Sequence, residues 1–215
     1  MLTHIDSARW LEVLIHCRVK PAVAVEWAPC FERWVQPNRF SQGPRELDDF
    51  VGQVLHETWM LTKLRENLNY SAQRLTQVWP RRFPTLQQAA SCAWSPEKLA
   101  ERVYGGRIEL GNTQRGDGFR YMGRGVPMVT GRANYALLQQ LTAEPLLDRP
   151  ELLEKPDLAL RCGVLWWERR VPDSAIDSLE RVTRAVQGGQ EGLEQRRELT
   201  VAAGQAIGQL TESTA

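Results

Sequence analysis

The stretch RELDDFVGQVLHETWMLT, residues 45–62, carries the clearest structural signal in the chain. Its apolar residues recur at the spacing i, i+3, i+4, i+7 and i+8. These residues are Leu47, Phe50, Val51, Val54 and Leu55. Because positions at this spacing share one face of an α-helix, we predict a helix over 45–62 that buries this face.

The same helical spacing recurs on both sides of this stretch, whereas the alternating pattern of a β-strand is scarce. Further predicted short helices cover 8–17, 22–35 and 71–79. Ser95 followed by Pro96 indicates the start of another helix, and a last helix is predicted from about Leu193. The sequence therefore predicts a mainly α fold.

Glycines are concentrated in one segment, because seven of the sixteen fall within residues 105–125. A glycine-rich stretch in a helical protein predicts a long loop, and such loops often carry function. The part GDGFRYMGRG, residues 116–125, lacks the GxxxxGK[ST] pattern of a phosphate-binding loop. Two interpretations stay open: an arginine–glycine RNA-binding segment, or a loop that lines a sugar groove.

Composition and charge limit the class of protein. The chain has 215 residues, 42% of them hydrophobic and 25% charged, so we expect a soluble domain with a real core. Net charge is +1, but residues 63–132 carry 12 basic and 5 acidic side chains. This middle segment would attract an anionic polymer, and nucleic acid and anionic cell-wall glycan both qualify.

Targeting signals and metal-binding patterns are missing from the sequence. No stretch approaches the roughly 18–20 apolar residues that span a bilayer, so no transmembrane segment is expected. The amino-terminal residues lack the features of a signal peptide, which indicates a protein that is cytoplasmic when made. The cysteines form no CxxC pair and are expected to be reduced; they are Cys17, Cys30, Cys92 and Cys162.

The pair His56-Glu57 does not complete a known histidine motif. A zinc protease needs a second histidine four residues after the first, and here Met60 stands there. Only two other histidines, His4 and His16, could serve a catalytic triad. We therefore expect neither a helix-borne zinc site nor such a triad.

Two glutamates nine residues apart are candidates for acid–base chemistry. Glu57 lies beside Phe50 on the edge of the apolar helix face, where burial would raise its pKa and suit a general acid. Glu66 lies in the polar stretch RENLNY, residues 65–70, whose amides could hold an ionised carboxylate and a water. Carboxylates about 6.5–9.5 Å apart would leave room for a water and give inversion. Spacing alone favours two ordinary surface glutamates.

Five motifs in order, however, resemble one known family. They are His56-Glu57, ENLNYSA at 66–72, RVYGGR at 102–107, GDGFRYMGRG at 116–125 and TGRANY at 130–135. In this set and order the chain is similar to glycoside hydrolase family 19, the chitinase-like group, and most to its phage-type endolysin branch. The resemblance implies a lysozyme-like α-helical domain with two lobes flanking a substrate groove.

The resemblance also implies roles for individual residues. Glu57 would be the general acid, Glu66 the general base, and Thr130 the hydroxyl that orients the attacking water. Residues implied to shape the groove or contact sugar are Asn67, Tyr70, Tyr121, Arg124 and Tyr135, with Arg124 expected to hold the loop. The family needs neither a metal nor an organic cofactor.

Three departures from the family pattern bear on the substrate. Met128 stands where the family usually has glutamine, and Gln187 stands where it has the asparagine of Asn-Gly-Gly. Thr58-Trp59-Met60 replaces the small residues that usually follow the acid. Because both carboxylates remain, we expect altered specificity, with peptidoglycan favoured over plain chitin.

We therefore expect a peptidoglycan glycan-strand hydrolase of the endolysin, muramidase or glucosaminidase type that inverts at β-1,4 bonds. It would act as a monomer on the wall after release through a pore or a secretion machine, with no nucleic-acid partner. Alternatives are a chitinase acting on chitin oligomers, a secreted antibacterial effector with a cognate immunity protein, and a non-catalytic wall-binding protein. A nucleic-acid-binding module is a weaker alternative.

The expected organisation is one catalytic domain over 1–215. It would comprise a divergent amino-terminal helical segment (1–45), a motif-bearing core (46–135) and a carboxy-terminal helical part (136–215).

Overall fold

The computed structural model describes residues 4–212, without the side chains of 210–212; both ends of the predicted domain therefore lie outside the described residues. Eleven α-helices follow one another within this part of the chain. They are α1 (Ser7–His16), α2 (Pro21–Trp34), α3 (Pro44–Glu57), α4 (Ala72–Val78), α5 (Leu86–Ala90), α6 (Pro96–Tyr104), α7 (Asp117–Arg120), α8 (Arg132–Thr142), α9 (Pro156–Arg170), α10 (Leu179–Gln187) and α11 (Leu193–Glu212).

The fold is mainly α, as the sequence predicted. Between residues 4 and 212, strand-like pairing is limited to two isolated bridges, in which Arg124 pairs with Arg65 and with Val129. The predicted short helices and the start of α6 at Pro96 are confirmed. The predicted loop over 105–125 contains one short 3₁₀ turn and the one-turn helix α7.

The chain forms two compact units. Unit 1 comprises residues 1–64, 125–127 and 153–215, and unit 2 comprises 65–124 and 128–152. Unit 1 is therefore built from segments that are distant in sequence, whereas unit 2 is almost continuous.

Unit 1 has a core in which α3 lies against α11. The predicted apolar face of α3 is fully covered, because Leu47, Phe50 and Val54 are each at most 2% exposed. The aromatic rings of Trp10 and Phe31, from α1 and α2, lie in the same core, with their centroids 5.0 Å apart. The amino-terminal helices thus pack into the core of unit 1.

Unit 2 has a smaller core of its own. Leu75 from α4 and Leu99 from α6 are both buried completely in it, together with Phe83 from the intervening loop. Gly118 at α7 allows the close approach to α6, because a Cβ there would lie 2.7 Å from the carbonyl oxygen of Ala100.

The described part of the chain contains no disulfide among its four cysteines. No helix in this part is long and apolar enough to cross a membrane. Nor do residues 4–212 bring together three His, Cys, Asp or Glu side chains that could hold a metal ion.

Candidate active site

Glu57 is the last residue of α3 in unit 1, and its side chain is held by an ion pair. Nη2 of Arg196 donates to its Oε1 at 2.5 Å. The Arg196 side chain is only 1% exposed and that of Glu57 14% exposed, so the pair is largely removed from water. Among the described residues, Oε2 of Glu57 accepts no hydrogen bond, which leaves one carboxylate oxygen uncommitted.

Arg196 is itself fixed by two further contacts. Its Nη1 donates to the side-chain oxygen of Gln53, one helical turn before Glu57, and its Nε donates to the carbonyl oxygen of Glu191 at 3.1 Å. Gln53 in turn donates to the hydroxyl of Thr183 at 3.0 Å. A buried guanidinium with three fixed acceptors allows the Glu57 carboxylate little freedom to rotate.

The predicted helix over 45–62 is too long at its end, because α3 stops at Glu57. Thr58 caps it: its hydroxyl donates to the carbonyl oxygen of Val54 at 2.7 Å and accepts from the N–H of Leu61 at 2.9 Å. Trp59, Met60 and Leu61 then have positive φ angles of 50°, 60° and 63°. Three consecutive non-glycine residues in the left-handed region store strain, which is typical of functional sites.

His56, the neighbour of Glu57, is packed rather than positioned for chemistry. Its ring lies so close to Gly192 that a Cβ there would overlap it, and its buried Nδ1 has no hydrogen-bond partner among the described residues. Burial, followed by the charge of Arg196, lowers the pKa of the imidazole. A neutral histidine beside the buried guanidinium adds no second positive charge to the site.

Glu66 lies in unit 2 and is clamped at both carboxylate oxygens. Its Oε1 accepts the N–H of Gly123 at 2.6 Å, and its Oε2 accepts the hydroxyl of Tyr104 at 2.8 Å. The Glu66 N–H donates to the Gly123 carbonyl oxygen at 3.0 Å, so the backbone fixes its position too.

Burial raises the pKa of Glu66, although the hydrogen bonds from Gly123 and Tyr104 oppose the shift. This differs from the polar surroundings that the sequence predicted for Glu66. The reason is tertiary: the segment that contains Gly123 covers a residue whose sequence neighbours are polar.

Thr130 lies close to Glu66 across Gly123. A Cβ placed on Gly123 would lie 3.3 Å from Oε1 of Glu66 and 3.3 Å from the hydroxyl oxygen of Thr130. The two groups therefore flank one small position that only a glycine leaves open. The Thr130 hydroxyl donates to the Met128 carbonyl oxygen at 3.2 Å, and Met128 has a φ of 62°.

Three of the predicted groove residues are buried and support the loop over 121–130. Tyr135 is 0% and Tyr121 3% exposed; their hydroxyls donate to the carbonyl oxygens of Met122 and Leu147, at 2.7 and 3.1 Å. Nη1 of Arg124 donates to the Arg120 carbonyl oxygen at 2.8 Å and to the Tyr135 hydroxyl at 3.2 Å. A sugar could not reach the two tyrosine rings in this conformation, so they can shape the site but not touch substrate.

The remaining predicted residues are more accessible. Asn67 is exposed, and its side-chain oxygen accepts the N–H of Asn69 at 2.9 Å. Tyr70 is half-buried and meets Trp79 edge-on, with ring centroids 5.4 Å apart. Gln187, in unit 1, is exposed and donates to the Glu191 carbonyl oxygen at 2.9 Å.

Gln187 is therefore linked to the Glu57 network, because the Glu191 carbonyl oxygen also accepts the Nε of Arg196. In this way unit 1 brings Glu57 and Gln187 together around Arg196. Unit 2 brings Glu66 and Thr130 together around Gly123.

Sequence reasoning assigned no role to four residues of these surroundings. Tyr104 and Gly123 lie within the motifs RVYGGR and GDGFRYMGRG, and the other two are Arg196 and Trp94. Trp94 is 69% exposed. Its backbone N–H donates to the Tyr70 carbonyl oxygen at 2.9 Å, which holds this tryptophan, with its exposed ring, beside a predicted sugar contact. Its position directly before the start of α6 was the one available signal that this tryptophan lies outside the core.

Comparison with known proteins agrees with the family resemblance of the motifs. No protein-family model matches the chain. A curated protein of Haemophilus influenzae, described as a glycosyl hydrolase family 19 domain-containing protein, is 32% identical over 150 residues; these cover 70% of this chain and 74% of the relative. The chain belongs to glycosyl hydrolase family 19. As a member of this family it is a glycoside hydrolase.

Solved structures of family 19 proteins share its fold. A bacterial family 19 chitinase aligns with a TM-score of 0.61 and 16% identity, covering 95% of each chain. Chitinase C from Streptomyces griseus aligns with a TM-score of 0.56 and 16% identity, covering 95% of this chain and 76% of that one. The expectation of a mainly α, lysozyme-like fold is thus confirmed.

Proposed function

We propose that this family 19 glycoside hydrolase cleaves the β-1,4-linked glycan strands of peptidoglycan with inversion. The observation that carries the proposal is that the protein holds both glutamate side chains in place. Each has its carboxylate fixed by protein donors, Glu57 by Arg196 and Glu66 by Gly123 and Tyr104. The side chain of Glu57 is 14% exposed and Glu66 is half-buried, so neither is an ordinary surface glutamate.

In the proposed mechanism Glu57 is the general acid. Its uncommitted Oε2 would deliver a proton to the glycosidic oxygen as the bond to the leaving sugar breaks. Arg196 would hold the other oxygen, so that the proton-bearing edge has one orientation. The guanidinium would then stabilise the carboxylate that remains after proton transfer.

Glu66 is the proposed general base. It would accept a proton from a water that attacks the anomeric carbon on the opposite face of the sugar. A raised pKa makes the carboxylate a stronger base than an exposed glutamate, provided that it is ionised at the working pH. The Thr130 hydroxyl, across Gly123 from Glu66, would hold the same water.

The preference for peptidoglycan is supported by charge and by the departures from the family pattern. The segment 63–132, which contains Glu66 and Thr130, carries 12 basic and 5 acidic side chains. Peptidoglycan carries carboxylates, whereas chitin is uncharged. Met128 and Gln187 also differ from the family pattern. The Met128 carbonyl oxygen accepts the Thr130 hydroxyl, and Gln187 shares the Glu191 carbonyl oxygen as an acceptor with Arg196.

The test is turbidity loss of purified Gram-negative walls stripped of their outer membrane, with mass spectrometry of the soluble products. We expect wild type and Glu12→Gln, a control at an exposed glutamate of unit 1, to clear the walls and release new reducing ends. Glu57→Gln and Glu66→Gln should each lose at least about 100-fold in rate. Full lysis by Glu57→Gln would contradict the mechanism.

A chitinase is the second candidate, because the similar solved structures are described as chitinases. Cleavage of chitin oligomers without clearing of walls would support it. Retained wall binding without cleavage of either polymer would instead indicate a non-catalytic wall-binding protein.

A further inference from the structure

Unit 2 contains a cavity of about 730 Å³ that the proposed mechanism does not use. Residues from α7, from the start of α8 and from the chain after α8 line it. Its charged lining residues are Arg115, Asp117, Arg120, Arg124, Arg132 and Asp148. Four guanidinium groups against two carboxylates leave the cavity with an excess of positive charge.

Three of these arginines have donors that no residue in the described part of the chain satisfies. Among the described residues, Arg115 forms no hydrogen bond or ion pair. Arg132 has one ion pair, to Asp117 at 3.9 Å, which is too long for a hydrogen bond. The Nη1 of Arg120 has no partner in that part of the chain either, although the rest of its guanidinium is engaged.

Arg120 is also held in place. Its Nε and Nη2 donate to the Leu147 carbonyl oxygen at 3.2 and 2.8 Å, and Nη2 donates to the Asp148 carbonyl oxygen at 3.1 Å. The plane of the guanidinium is thereby fixed before any ligand arrives. A fixed guanidinium loses little conformational freedom when it binds a planar or tetrahedral oxyanion.

The two carboxylates offset only part of this charge. Asp117 is buried, at 4% exposed, and its Oδ2 accepts the Gln114 N–H at 2.9 Å, so it serves the turn that precedes α7. Asp148 is exposed to solvent, which screens its charge. A concave surface lined by arginines concentrates positive potential at its centre.

We propose that this cavity binds an oxyanion, a carboxylate or phosphate group carried by the glycan substrate. The inference rests on the proposed function, since chitin carries neither group. A volume of about 730 Å³ is of the size of small-molecule sites and exceeds a single oxyanion, which leaves room for the atoms that join the anion to a polymer.

The binding test uses inorganic phosphate and acetate as probes, titrated into the full chain by calorimetry at constant ionic strength with chloride. We expect wild type to bind at least one of them. Arg115→Gln/Arg132→Gln should bind it at least about tenfold more weakly, because two charge-assisted contacts are lost. Arg81→Gln, which removes an exposed charge of unit 2 away from the cavity, should bind as wild type does.

The two probes separate the possible sources of the anion. Tighter phosphate binding indicates a phosphate-bearing wall polymer, and tighter acetate binding indicates the carboxylates of peptidoglycan. No binding of either by wild type, or equal binding by wild type and the double variant, would overturn the proposal. The single variant Arg115→Gln changes one exposed side chain and provides the same comparison if the double variant unfolds.

A parallel wall-hydrolysis assay separates this proposal from the proposed function. We expect the double variant to clear walls at least about threefold more slowly than Arg81→Gln. Equal clearing rates would contradict the proposal that the cavity binds the substrate's anion, but not the proposed hydrolase activity. Phosphate or acetate binding without cleavage of any glycan would support the cavity as an anion site and contradict the proposed function.

Discussion

At the scale of single residues, the contact with Arg196 determines which substitutions of Glu57 the folded protein tolerates. A guanidinium that is 1% exposed has lost its hydration and depends on Glu57 for a compensating charge. The same contact that positions the proposed acid therefore also stabilises unit 1, and the two effects need separate variants.

Two substitutions at Glu57 should separate them. Glu57→Ala leaves a buried arginine unpaired and should lower the free energy of unfolding by about 3–5 kcal/mol. Glu57→Gln keeps an oxygen that accepts from Arg196 and should lose only about 1–2 kcal/mol. Chemical denaturation measures both, with Glu12→Gln as control; no loss of stability in either variant would show that the ion pair adds nothing.

Gly123 permits a test of the proposed base that leaves its carboxylate in place. In Gly123→Ala the added methyl would lie 3.3 Å from both Glu66 and Thr130, which is close enough to displace the attacking water. We expect at least about a tenfold loss of rate with a melting temperature within a few degrees of wild type. Gly189→Ala is the control, because its methyl meets nothing within 4 Å. An unchanged rate in Gly123→Ala would show that Thr130 and Glu66 do not hold the same attacking water.

At the scale of elements, helix α3 depends on its contact with α11. Gly52 is the point of closest approach, since a Cβ there would lie 2.8 Å from the backbone nitrogen of Thr200. Backbone atoms cannot move aside as a side chain can, so this glycine sets the spacing of the two helices.

Gly52→Ala should therefore force α3 and α11 apart and lower the free energy of unfolding by about 1–3 kcal/mol. Gly208→Ala in α11 is the matched control, because its methyl would meet no atom of the described residues within 4 Å. Removal of a helical glycine there should be neutral or stabilise by up to about 1 kcal/mol. The same destabilisation in both variants would contradict the close-packing explanation.

The elements also show what the sequence could and could not predict. The apolar spacing of Leu47 to Leu55 identified α3, but Trp59, Met60 and Leu61 continue an apolar pattern and gave no sign of the left-handed turn after Glu57. Only the hydrogen bonds of Thr58 and the tertiary packing reveal this turn.

The sequence likewise predicted the residues of the candidate site but not the contacts that hold them. The motifs placed Glu57, Glu66 and Thr130 on the chain, whereas the ion pair to Arg196 joins residues 139 positions apart and has no local signature. Burial of Glu66 by the segment around Gly123 is likewise a tertiary effect that a polar local sequence conceals.

At the scale of the whole molecule, the global stability should depend on pH through two carboxyl groups of α3. Burial raises the pKa of Asp48 to about 7 and that of Asp49 to about 6. One oxygen of Asp48 is buried without a hydrogen-bond partner, which makes ionisation costly. Below these values the folded state keeps protons that the unfolded chain has already released, so stability falls as pH rises from about 4 to 7.

Asp48→Asn should remove much of this loss. At pH 8 we expect it to be more stable than wild type by about 1–2 kcal/mol, a figure reduced because Asp48 is partly solvated. At pH 5 the difference in the free energy of unfolding between the two proteins should be smaller, since the wild-type carboxyl is then mostly protonated. His56, whose pKa is lowered, acts in the opposite direction below about pH 6.5 in both proteins, so the difference between them isolates Asp48. A gap that does not change with pH would contradict the prediction.

The discontinuous construction of unit 1 has a consequence for a chain that emerges from the ribosome. Nearly all of unit 2 is available once residue 152 has been made, but α3 must wait for α11. At translation rates of about 5–20 residues per second, this delay is on the order of 10 seconds. During it, the nascent chain presents an uncovered apolar helix to chaperones, and Glu57 has no guanidinium beside it. Translation order thus makes the acid half of the proposed machinery mature after the half that contains Glu66.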